Sequence, residues 1–135
     1  MIDSVKRLGK IALIVSGTYC CSLLCLELPS VILSQGIESQ SQLEELLAKE
    51  KKKLNCDKNI KAKLTFDYNN PISIKNEDGS YEIFLSEFGH NVSTLRHELY
   101  HIADGHLDNP NRNWISYFFW YEPQAALYES FGLKL

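Results

Sequence analysis

Hydrophobic and polar positions divide the chain into an apolar N-terminal stretch and a patterned remainder. Residues 11–26 (IALIVSGTYCCSLLCL) carry no charge, and after Glu27 the apolar character resumes through residues 28–37, broken by Pro29. This predicts an N-terminal hydrophobic helix within a segment 1–37, followed by one domain over residues 38–135. In residues 39–54, Leu43, Leu46, Leu47 and Leu54 recur at helical spacing, with Glu44 and Glu45 early and lysines late, as the helix dipole favours. Residues 60–68 alternate, which places Ala62, Leu64, Phe66 and Tyr68 on one face of a strand. Residues 72–75 and 80–86 flank Asn76-Glu77-Asp78-Gly79, and Asp-Gly is a strong hairpin signal. Asn91 or Ser93 can cap a helix over residues 92–104, which Gly105 stops. Residues 121–131 read as helical again, with Pro123 beginning or kinking that helix. The pattern predicts an α+β fold: a small, mainly antiparallel sheet, a central helix and a C-terminal helix.

Charge decides how the N-terminal segment is read. Lys6, Arg7 and Lys10 precede the uncharged run, while Glu27, Glu38, Glu44 and Glu45 follow it. The positive-inside bias then puts the N-terminus in the cytoplasm and the domain across the membrane. The run is shorter than the about 20 residues a spanning helix needs, so a cleaved signal with a secreted product, or a buried helix, stands as the alternative. No A-x-A-like site follows the run, which favours a retained single-pass anchor.

The formal net charge of −3 offers no basic surface for nucleic acid, and the run of residues 49–53 is too short to change that. Three of the four cysteines, Cys20, Cys21 and Cys25, sit in the apolar stretch, leaving Cys56 alone in the domain. Neither a disulfide framework nor a cysteine-rich zinc site can be built there, so a bound metal must be held by histidine and carboxylate.

Such residues stand at 97–101, in His97-Glu98-Leu99-Tyr100-His101. Positions four apart share one helix face about 6 Å apart along the axis, so both imidazoles can address one ion. Glu98, one step round, can reach a water at that ion and act as general base. Leu95, Leu99 and Ile102 form an apolar arc on the side away from the histidines. A catalytic zinc site commonly has three protein ligands, and Asp104, His106, Asp108, Glu122 and Glu129 are the downstream candidates. Glu122 is favoured: it can sit on a second helix, and Ala125 and Ala126 behind it permit close packing. His106, Tyr117 and Tyr121 are candidate donors to the charge that develops during hydrolysis.

Residues 94–103 (TLRHELYHIA) resemble the extended motif of the zincin metallopeptidases, and Glu122-Pro123-Gln124-Ala125 is similar to the downstream E-x-x-A element of their gluzincin branch, including small peptidases of the ImmA/IrrE type. Pro123 departs from that element. The resemblance covers the last third of the chain. It implies a small zincin-like domain, a Zn2+ ion on His97, His101 and Glu122, and hydrolysis of a peptide or protein substrate with Glu98 as base. It also implies that the strand before the active helix, residues 81–86, lies at a sheet edge and pairs with extended substrate. The metzincin pattern does not fit, because Asp104 and Leu107 stand where that pattern needs a glycine and a histidine or aspartate. A different expectation from the same residues is an inactive metal-binding or membrane-tethered interaction module. Oligomeric state is not legible in the sequence.

Overall fold

In the computed structural model of the chain, Tyr19, Ser22 and residues 33–109 and 113–132 are described. The predicted N-terminal hydrophobic helix therefore lies, apart from Tyr19 and Ser22, outside the described residues. Among the described residues no helix is long and apolar enough to cross a membrane.

The architecture is α+β. In chain order it comprises helix α1 (Gln40–Lys53), strands β1 (Ile60–Leu64), β2 (Ile72–Lys75) and β3 (Tyr81–Leu85), a short 3-10 turn (Glu87–Gly89) and helix α2 (Val92–Ala103). A final helical stretch begins at Trp114–Ser116, widens to π-helical winding over Tyr117–Tyr121 and continues as α3 (Glu122–Phe131). Each main helix has a local cause. Ser39 caps α1 by accepting from the Gln42 N–H, and Lys51, Lys52 and Lys53 occupy its last turn. Asn91 caps α2 by accepting from the Thr94 N–H, and Gly105, at φ +75°, ends it.

The sheet is mixed, with strand order β1-β3-β2. The hairpin forms as expected: β2 runs antiparallel to β3, with Ile74 opposite Glu82, and Gly79 supplies the turn at φ +82°. Three expectations are corrected. β1 pairs parallel to β3, with Ile60 opposite Tyr81 and Leu64 opposite Leu85, so the sheet is not mainly antiparallel. Alternating side chains look the same for either strand direction, which is why the pattern could not distinguish them. β3 is also central rather than an edge, and among the described residues β1 and β2 hold the edges. The first strand ends at Leu64 instead of continuing to Tyr68, and Phe66 and Tyr68 are exposed.

One face of the sheet packs under α1 and α2. Ile60, Ala62, Tyr81, Ile83 and Leu85 meet Leu43 and Leu47 of α1 and Leu95, Leu99 and Ile102 of α2 in a single buried cluster. Removing each large aliphatic side chain from water contributes about 1.5–3 kcal/mol. The result is a rigid floor under the apolar stripe of α2, which leaves the His97/His101 stripe to face α3. Ala125 and Ala126 are wholly buried where α3 meets the rest of the domain. Small side chains there allow the close helix approach that brings Glu122 to α2.

Residues ahead of α1 also secure α2. The Ile37 N–H donates to the His90 carbonyl, the Val92 N–H to the Gln35 carbonyl and the Ser93 N–H to the Ser34 hydroxyl. The last two satisfy donors at a helix start that would otherwise lack partners.

Candidate metal centre

Helical spacing brings the two imidazoles together: Nε2 of His97 and Nε2 of His101 lie 3.2 Å apart. Glu122 arrives from the neighbouring helix, with Oε2 3.3 Å from Nε2 of His97 and Oε1 3.4 Å from Nε2 of His101. The three side chains thus form a group that could hold a metal ion. His101 is buried, whereas His97 and Glu122 are half-buried. Glu98 lies on the same helix, half-buried, and close enough for its charge to act on His97.

The winding before Glu122 explains how it reaches the group. In a regular α-helix, residues five apart point about 140° away from each other. The N–H of Glu122 donates instead to the carbonyl of Tyr117, five residues back. That wider turn brings Tyr117 and Glu122 round to the same side. Tyr117 stacks on His101 with ring centres 5.6 Å apart, and Glu122 reaches both imidazoles. Pro123 supplies a physical reason for the widening: it has no N–H to give, and its ring would crowd the carbonyl four residues earlier.

Each histidine is held from behind. Nδ1 of His97 is 2.9 Å from Oε2 of Glu129, whose other oxygen accepts from the Ser93 hydroxyl at 2.6 Å. Nδ1 of His101 is 2.8 Å from Nδ1 of His106, and Nε2 of His106 is 3.1 Å from Oδ2 of Asp104. The network assigns one set of tautomers. The Nδ1–H of His97 donates to Glu129, the Nδ1–H of His101 donates to His106, and the Nε2–H of His106 donates to Asp104, so that once the proton between His97 and Glu122 has left, the Nε2 lone pairs of His97 and His101 are both available. Burial, followed by the nearby His101, pushes His106 below its ordinary pKa, consistent with a neutral ring that accepts at Nδ1. Tyr121 stacks on His106 with centres 4.1 Å apart.

Burial disfavours charge on His97, but hydrogen bonds to Glu122 and Glu129 outweigh it and raise its pKa to about 10. Burial likewise opposes ionisation of Glu122, yet hydrogen bonds from His101 and His97 hold its carboxyl well below the ordinary value. Without a metal, one proton therefore occupies the space between these groups.

Of the residues predicted from the sequence, His97, His101 and Glu122 converge and Glu98 adjoins them. Glu129 stands behind His97 rather than in the ligand group. His106 and Asp104 stand behind His101, so His106 is not placed to stabilise charge in front of the metal group. Asp108 is engaged elsewhere, with Lys58, Lys75 and Tyr81. The supporting roles of Ser93 and Glu129 were not anticipated. Their signal was periodicity: Ser93 lies one turn before His97, and Glu129 two turns after Glu122. No protein-family model, curated protein or solved structure matches the chain.

Proposed function

We propose that the chain is a zinc-dependent metallopeptidase. One observation carries the reading. A tetrahedral ion with bonds of about 2.0–2.1 Å separates its ligand atoms by about 3.3 Å; the Nε2 atoms of His97 and His101 stand 3.2 Å apart, and Glu122 brings Oε2 to 3.3 Å from the first and Oε1 to 3.4 Å from the second. Two imidazoles and one carboxylate also form a donor set that catalytic zinc uses, with a fourth position left for water or substrate. A bound ion would supply Lewis acidity towards the scissile carbonyl and acidify the attacking water.

The chain's own residues do the rest. Glu98 takes the proton of the attacking water and delivers it to the leaving amine. Glu129 and His106 fix the orientation of His97 and His101. Tyr117, stacked on His101 and facing Glu122, keeps that side of the group closed. A single-pass anchor in residues 11–26, with the N-terminus cytoplasmic, would hold the domain outside the cytoplasm beside the membrane. The uncharged run and the basic residues before it support this placement.

The test is hydrolysis of an unstructured protein by the zinc-loaded full chain, compared with Glu98→Gln. The expected result is cleavage by the parent and a loss of about 100-fold or more in the variant, the scale of a positioned proton acceptor, with zinc content unchanged. A parent that holds zinc but cleaves nothing would favour the inactive binding module instead.

A further inference from the structure

The helical stretch leading into Glu122 has two faces, and their chemistry is inverted relative to a water-facing surface. Tyr117 and Tyr121 turn inward onto His101 and His106, and the Tyr121 hydroxyl accepts from the Asn109 side chain at 2.8 Å. Ile115, Phe119 and Trp120 turn outward, with 53%, 38% and 65% of their surfaces exposed. Residues 114–121 (WISYFFWY) contain no charge at all. Single exposed apolar residues are ordinary, but three within six positions on one helical face mark a surface that something apolar covers.

A second observation identifies the cover. Tyr19 belongs to the uncharged run of residues 11–26, and it sits on this same stretch. Its hydroxyl donates to the Phe118 carbonyl at 2.8 Å, and its ring lies 5.6 Å from that of Phe118 and 5.0 Å from that of Phe119. Through Tyr19, the part of the sequence most suited to lipid therefore touches the exposed aromatic face. Tryptophan and tyrosine gather at the level of lipid headgroups, where an apolar ring and a polar tip are both accommodated.

We propose that Ile115, Phe119 and Trp120 lie in the interfacial layer of a phospholipid bilayer. Because Tyr117 and Tyr121 on the same turns contact the histidines, this places the metal group next to the membrane surface. The peptide hydrolysed is then a segment held close to the bilayer. That last consequence rests on the peptidase reading, whereas the lipid contact does not.

The experiment needs neither zinc nor hydrolysis. The chain has two tryptophans, so Trp114→Phe in the full chain leaves Trp120 as the single reporter. It is mixed with phosphatidylcholine and phosphatidylglycerol vesicles carrying bromine either near the headgroup or near the bilayer centre. The expected result is a blue-shifted emission that headgroup-proximal bromine quenches more strongly than deep bromine. Should Trp114→Phe fold poorly, comparing the unaltered chain with Trp120→Phe asks the same question, and the lipid-quenched component should vanish in the variant. A chain that sediments with vesicles while Trp120 stays red-shifted and open to aqueous acrylamide overturns the proposal and leaves the anchor standing. Emission that is blue-shifted but untouched by brominated lipid means that protein covers the face, and also overturns it. No association with vesicles overturns both the lipid contact and the anchor.

Discussion

Glu129 lies 2.9 Å behind Nδ1 of His97, on the opposite side of the ring from Glu122. A carboxylate in that position fixes the tautomer and makes Nε2 a better donor. Glu129→Gln keeps the shape but can offer its amide N–H to Nδ1, which favours the wrong tautomer. Zinc affinity should fall about 10- to 100-fold, with little change in far-UV circular dichroism. An unchanged affinity in a competition titration would show that Glu129 only packs there.

His106 plays the corresponding part for His101. His106→Phe preserves an aromatic ring for Tyr121 to stack on but removes the Nδ1 acceptor. Zinc dissociation should accelerate by about tenfold or more. If the exchange rate measured with a chromophoric chelator does not move, the His101–His106 bond does not orient the ligand.

Between His97 and Glu122, metal must compete with a proton. The pKa of His97, raised to about 10 in the metal-free chain, means that the proton is present at pH 7 and must leave when metal enters. Apparent zinc affinity should therefore rise with pH by about tenfold per unit. Calorimetry in buffers of different ionisation enthalpy should register about one proton released per ion. The effect on the metal-free fold has the opposite sign. Stability contributed by protonated His97 is complete below 6.5 and is lost as pH rises through about 10. An affinity that is flat with pH would contradict this arrangement.

Much of this site could be read from the sequence, and the unread part has a physical cause. His97, Glu98 and His101 were legible because a four-residue spacing has one meaning on a helix. Glu122 could be proposed because two alanines follow it, although Pro123 obscured the helix around it. The structure turns that obstacle into a device, since the wide winding ahead of Pro123 is what aims Glu122. Glu129 stood only among the ligand candidates, and its place behind His97 was not legible, because spacing along α3 specifies a face and not a depth. The direction of β1 and the central place of β3 depend on long-range pairing, to which local alternation is blind.

Asp108 offers a test of the domain apart from the metal. It joins Lys58 and Lys75 at 2.7 and 2.6 Å and accepts from the Tyr81 hydroxyl, and Lys58 also reaches the Ile102 carbonyl near the end of α2. Hydrogen bonds from Lys58, Lys75 and Tyr81 hold the carboxyl of Asp108 well below its ordinary value of 3.8. A depressed pKa stabilises the fold above the unfolded value and loses that contribution as pH falls through the folded one. Asp108→Asn should therefore destabilise the chelator-treated protein at pH 7 by about 1 kcal/mol, the upper range for a solvent-screened ion pair. The gap in melting temperature should close in acid below 3.8. A gap of the same size at both pH values would mean that charge is not the source.

The account depends on three side chains from two helices gripping one ion. Its most direct measurement is the zinc content of the purified full chain, determined by elemental analysis beside His101→Ala and Glu122→Ala, each first equilibrated with equal zinc and then desalted. The prediction is one zinc per chain in the parent and loss of zinc in both variants, with Glu98→Gln still retaining it. A Glu122→Ala protein that holds zinc as fully as the parent would contradict the account at its centre.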